Sequence, residues 1–140
     1  MFRSANTGLG LFILRVVVGF IFLMHGLGKF FGPPFLGGGW EWWNGFVVQL
    51  GLPLPAVTVW VGALVETLGG LALITGAGST IAGLLLAVQM AMAILKVRLS
   101  HGLNAGNGGY EFELVLLTAA VTIAVAGPGL LAIQIRPKNA

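Results

Sequence analysis

Four stretches of about twenty mostly apolar residues run through this 140-residue chain, each long enough to cross the roughly 30 Å hydrocarbon core of a bilayer as a helix. The first is expected from about Gly8 to Phe31, the second from about Leu54 to Thr75, the third from about Thr80 to Arg98 and the fourth from about Phe112 to Ile135, where Gly127-Pro128-Gly129 is expected to end or kink the helix. Composition agrees with that class. Hydrophobic residues make up 57% of the chain and charged ones 8%, against about a quarter charged in soluble domains. The expectation is an all-α membrane protein, an antiparallel bundle of four transmembrane helices forming a single domain over residues 1–140.

Two of these stretches carry a formal charge, Arg15 in the first and Glu66 near the middle of the second. A charge at the centre of a membrane helix costs about 2.5 to 3.5 kcal/mol on insertion scales, so it normally faces a bundle interior and finds a partner. Depth follows from sequence because each helical residue rises about 1.5 Å. Counted from the two helix centres, Arg15 and Glu66 differ in depth by about 5 Å, within reach of an arginine side chain. An Arg15 to Glu66 ion pair is the expected contact, with Gly62, Gly69 and Gly70 letting a neighbouring backbone approach the carboxylate. Gln89, at mid-depth on the third helix, is placed to add a hydrogen bond.

The connections are unequal. Gly76-Ala77-Gly78-Ser79 is a tight turn that makes the second and third helices antiparallel neighbours. The first connection, Gly32 to Gly51, is longer. It holds Gly37-Gly38-Gly39, then Trp40, Trp42 and Trp43, then Phe46, Val47 and Leu50 at helical spacing. That pattern suggests a short interfacial helix acting as an aromatic anchor, with a lid over a substrate as the other reading. The segment from Ser100 to Tyr110 reads as a surface turn.

A second polar cluster lies toward the side away from the termini. His25 and Lys29 are one turn apart on the first helix, Lys96, Arg98 and His101 close the third, and Glu111 and Glu113 open the fourth. Together they would line a polar mouth. Taken singly, Lys29, Lys96 and Arg98 fit interfacial charges, His25 a satisfied interior histidine and Glu111 a solvated acid. Basic residues tie between the two sides, with Arg3, Arg136 and Lys138 at the termini against Lys29, Lys96 and Arg98. The terminal bases are free flanking charges, which favours cytoplasmic termini.

Several chemistries are excluded or weakened. The chain has no cysteine, which removes thiolate catalysis, disulfide exchange and cysteine-ligated metals. Two histidines without supporting spacing are weak evidence for a metal or haem. Gly26-Leu27-Gly28-Lys29 lacks the strand and the hydroxyl residue of a phosphate loop. Seven dispersed bases against four acids give no nucleic-acid surface.

Leu14-Arg15 with Gly19, Phe22, His25-Gly26 and Lys29, then Glu66-Thr-Leu-Gly69-Gly70-Leu-Ala-Leu-Ile-Thr-Gly76, then Asn107-Gly-Gly-Tyr110-Glu-Phe-Glu113 and Gly127-Pro128-Gly129 resemble the DoxX family. The likeness extends from Gly8 to Gly129 and includes Gly51-Leu52-Pro53-Leu54-Pro55. It implies a four-helix bacterial inner-membrane protein related to the DoxD subunit of thiosulfate:quinone oxidoreductase. More distant relatives include eukaryotic cargo receptors and receptor-assembly chaperones that are not enzymes. By that resemblance Arg15, Lys29, Glu66 and Glu113 match the family's recurrent polar positions. Gln134 stands where many members carry an aspartate.

The functional expectation is a redox-associated membrane subunit binding a quinone or another lipophilic molecule near Arg15, Glu66 and Gln89. It is expected to work as a homo-oligomer or beside a catalytic partner. The alternative is a non-catalytic scaffold whose buried charges fix helix packing. A transporter ranks last, because the terminal half offers few polar groups to line a path.

Overall fold

A computed structural model describes residues 2–134, and among these all regular structure is helical. Helix α1 spans Phe2–Phe31, α2 Gly39–Gln49, α3 Pro55–Thr75, α4 Ser79–Ala93 and α5 Glu111–Ala126. Three helical segments, Ser4–Phe31, Pro55–Thr75 and Ser79–His101, are long and apolar enough to cross a membrane. Only 28%, 28% and 22% of their most apolar windows are buried. The rest of that surface is apolar and faces outward, which suits lipid and not water. The chain is a membrane protein.

Two helix pairs, α1 on α3 and α4 on α5, make the closest contacts, and α3 and α4 join them. The α1–α3 crossing is built on glycine. A Cβ on Gly19 would lie 2.7 Å from the Gly70 carbonyl oxygen, and one on Gly70 would lie 2.6 Å from that of Gly19. Seven residues along, Gly26 meets Ala63 and Thr67. Backbones this close gain dispersion contacts that lipid cannot match. The largest fully buried apolar side chains come one from each long helix, Phe22, Leu73, Leu86 and Ile123. Leu73 and Ile123 lie toward the ends of α3 and α5, nearer the half that holds the termini.

The turn between α3 and α4 is as short as expected, with Gly76 and Gly78 at φ 82° and 67°, a region open to glycine at little cost. Helix α3 starts on Pro55, where the missing N–H leaves no helical bond unmade. Past Ala93, α4 widens into a π-helical turn at Ile94–Arg98 and tightens into a 3₁₀ turn at Leu99–His101.

Helix α5 ends at the Gly127-Pro128-Gly129 break expected to end or kink it, short of the outer limit at Ile135. It stops at Ala126 and does not continue toward Ile135, which lies outside the described residues. Gly127 has φ 85° and Pro128 has no N–H to donate, so the helical ladder ends there. The chain then turns back across the bundle end, where Leu130 N–H donates to Gly8 O at 3.0 Å and Ile133 N–H to Thr75 O at 2.9 Å. Arg136 and Lys138, used above for orientation, also lie outside the described residues.

Candidate functional site

The two buried charges do not meet. The α1–α3 register sets Gly19 beside Gly70 and Gly26 between Ala63 and Thr67. Extended by equal steps, it puts Arg15 level with Ile74 and Glu66 level with Leu23. These positions are about 12 Å apart along the bundle. The expected Arg15 to Glu66 pair is therefore corrected, and each residue has other partners.

Arg15 is completely buried and is fastened by backbone alone. Its Nε donates to Pro128 O at 2.7 Å, Nη1 to Leu73 O at 2.9 Å and Ile74 O at 2.5 Å, and Nη2 to Leu130 O and Leu131 O at 2.9 Å each. A guanidinium has five N–H donors, and all five are engaged. Leu73 and Ile74 lie in the last turn of α3, whose carbonyls have no intrahelical partner and where the helix dipole favours a cation. The Phe12 ring lies beneath the guanidinium, 5.1 Å from its centroid.

Glu66 has a different neighbourhood. Lys29 Nζ from α1 donates to its Oε2, and Gln89 Nε2 from α4 donates to its Oε1 at 2.8 Å. Lys29 and Glu66 are 8% and 3% exposed. The expectation that Lys29 is an interfacial charge is thus overturned, since its stem runs inward to the carboxylate. Both carboxylate oxygens are satisfied by charge-assisted or amide hydrogen bonds, and three helices share one polar knot. Over it sits α2, with Lys29 Nζ 4.3 Å from the centroid of the Trp43 ring, a cation–π contact.

The knot forms the floor of a cavity of about 710 Å³. His25, Lys29, Glu66, Gln89 and Glu113 border it, as do Arg98 and the aromatic residues Trp42, Trp43 and Phe46 of α2. Arg15 does not. Of the cluster expected at the polar mouth, Lys96, His101 and Glu111 are exposed and stand outside it. Arg98 Nε donates to Glu113 Oε1 at 3.1 Å and its Nη1 to Gly108 O at 3.2 Å, so the π turn of α4 is what carries Arg98 to the cavity wall. The His25 ring sits 6.3 Å from that of Phe112, and its nitrogens have no hydrogen-bond partner among the described residues.

Sequence reasoning gave most weight to α2 as an anchor, whereas its inner aromatic face roofs the cavity. The segment before it is drawn in where Leu36 N–H donates to Met24 O at 3.1 Å, and a Cβ on Gly28 would strike Leu36 O. That glycine was the available signal. The described residues contain no group of three or more His, Cys, Asp or Glu side chains able to hold a metal. The arrangement can bind a mostly apolar molecule with a polar end, and it can hold a proton on either partner of the Lys29–Glu66 pair.

Comparison with known proteins agrees with the sequence resemblance. The DoxX family model matches residues 10–99. A Bacillus subtilis (strain 168) protein named "Putative oxidoreductase CatD" is 33% identical over 127 residues, covering 90% of this chain and 85% of that one. No solved structure matches.

Proposed function

The chain belongs to the DoxX family, and from that premise we propose that it is a redox-associated membrane protein binding a quinone or similar lipophilic molecule over Glu66. One observation carries this reading. An aromatic-walled cavity of about 710 Å³ ends on a single buried carboxylate held by a lysine and a glutamine from two other helices. That volume lies within the range of about 300 to 1,000 Å³ typical of small-molecule sites. The relative's printed name points the same way.

The residues fit such a ligand. A quinone, when bound, supplies two-electron chemistry coupled to proton uptake. Lys29 Nζ keeps N–H groups beyond the one given to Glu66, available to orient a ligand oxygen at the cavity floor. Glu66 and Lys29 hold a proton between them, and Gln89 keeps the carboxylate oriented. Trp42, Trp43 and Phe46 exclude water from above. With no cysteine in the chain, electrons would pass to or from a partner subunit, or between copies of this chain.

Quinone content is tested by solvent extraction and mass spectrometry of protein purified in detergent, together with a thermal shift on adding a short-chain quinone. Quinone in the extract and a raised melting temperature are expected, both lost in Glu66→Gln. If neither is seen in the wild type, the reading fails.

A second reading, a non-catalytic scaffold, is favoured by Arg15, whose contacts serve packing only. In that case Glu66→Gln leaves partner capture unchanged. For topology, we propose that α5 is a fourth crossing in a bacterial inner membrane and that both termini are cytoplasmic. Supporting this, α5 is 16 residues long, about 24 Å, and it shows Leu114, Val115, Val121 and Val125 on its exposed surface.

A further inference from the structure

Phe22, His25 and Lys29 stand at steps of three and four residues on α1, which sets them on one side of the helix, and all three border the cavity. Within that stripe the two polar side chains part company. Lys29 reaches Glu66 on α3. His25 directly precedes Gly26, which faces α3, so the imidazole is turned about 100° away from that contact. It lies instead toward α5, with its ring 6.3 Å from that of Phe112.

The polar groups around the cavity differ in whether a ligand can meet them. Glu66 is bonded at both oxygens, and Gln89 donates to Glu66 and to Gly62 O. Arg98 and Glu113 are ion-paired. Trp43 Nε1 and Glu113 Oε2 have no partner but are sealed off, so they do not face the space that a ligand would fill. The His25 ring nitrogens are in a third condition, since among the described residues they are neither hydrogen-bonded nor sealed. Neither carboxylate of the cavity takes the imidazole N–H, because each is engaged with a cation of its own. A neutral imidazole offers one donor and one acceptor, and Lys29 keeps N–H groups beyond the one given to Glu66.

We propose that His25 is the second polar contact of the ligand. Lys29 Nζ meets one ligand oxygen over Glu66, and the His25 imidazole meets another on the α5 side of the cavity. This rests on the quinone reading of the cavity and adds the residue that fixes how the ring lies in it. The contact serves either redox form, because the imidazole N–H donates to a carbonyl and the other ring nitrogen accepts from a hydroxyl. Phe22, Phe46 and Phe112 supply apolar wall, which holds a ring without orienting it. Polar contacts on two sides do orient it.

The chain has two histidines, His25 and the exposed His101, which stands outside the cavity. Ring-nitrogen-labelled histidine therefore gives NMR signals from two imidazoles, assigned with His101→Gln. The full chain in nanodiscs is titrated with a one-isoprene benzoquinone and, anaerobically, with its quinol, and partition into empty nanodiscs is subtracted. The His25 signals are expected to move with both ligands and to saturate with binding, while those of His101 stay in place. His25→Phe keeps a ring against Phe112 and removes both nitrogens, so it should weaken both forms by about three- to tenfold. His25→Gln, whose amide donates and accepts, should recover part of that loss. Melting temperatures on the same samples certify folding, and the wild-type spectra decide the matter if the variants do not fold. Saturable binding with unmoved His25 signals, or a folded His25→Phe that binds like the wild type, overturns the assignment and leaves the quinone site standing. A folded wild type that binds neither form overturns the site and the assignment together.

Discussion

Arg15 and Lys29 both sit inside an apolar helix, yet they do different work because their partners differ. Arg15 is bonded only to carbonyls of chain segments that must stay together. Lysine in its place has three donors for five acceptors, so Arg15→Lys is expected to lower stability by roughly 2 to 4 kcal/mol while leaving ligand binding intact. Thermal unfolding beside a quinone titration separates the two effects. Lys29 and Glu66 form an internal ion pair, and losing one partner leaves the other charge buried. Lys29→Met alone is expected to cost about 3 to 5 kcal/mol, and Lys29→Met with Glu66→Gln to recover much of it. A double-mutant cycle on melting would refute the pairing if the two losses simply add. At this scale the sequence identified Arg15 and Glu66 as buried and polar, but it set Lys29 at the interface and missed the register. That register was legible in principle, since Gly19 and Gly26 on one helix and Gly70 and Ala63 on the other are both seven residues apart.

Among the elements, the glycine seam fixes everything above it. Placing a methyl at Gly70 drives it into Gly19 O and the Leu23 backbone, neither of which can swing aside. Gly70→Ala is therefore expected to cost about 1 to 3 kcal/mol and to disturb the Lys29–Glu66 contact one turn away, read as a lower melting temperature with weakened ligand binding. If Gly70→Ala melts like the wild type, the close crossing is wrong. The helix starts and the tight turn were readable from Pro55, Gly76 and Gly78 because backbone chemistry dictates them locally. The π turn in α4 was not, since nothing in Ile94–Arg98 marks it. It follows from docking Arg98 against Glu113 and Gly108, a tertiary demand. The roof was only the second of two readings for the same reason, because an aromatic face at headgroup depth looks alike whether it meets lipid or a cavity.

Across the whole molecule, the larger cavity lies on the side of α2 and the 99–110 connection, and Leu73, Leu86 and Ile123, with Arg15 beyond them, close it off from the side that holds the termini. The absence of cysteine makes this easy to test. Single cysteines at Trp42 and Leu103 should react with an impermeant maleimide from one face of intact cells or inverted vesicles, and one at Ala77 from the opposite face. Labelling of Trp42→Cys and Ala77→Cys from the same face would sink the four-crossing topology. The tail after α5 gives the Arg15 lock a consequence for how the protein is made. Three of its five acceptors, Pro128, Leu130 and Leu131, are among the last described residues to leave the ribosome. Until that tail has been made, three of the guanidinium N–H groups have no protein acceptor, and the bundle stays unlatched. A chain interrupted after Gly127 would keep only the Leu73 and Ile74 carbonyls and would bury a guanidinium with three of its five N–H groups unanswered.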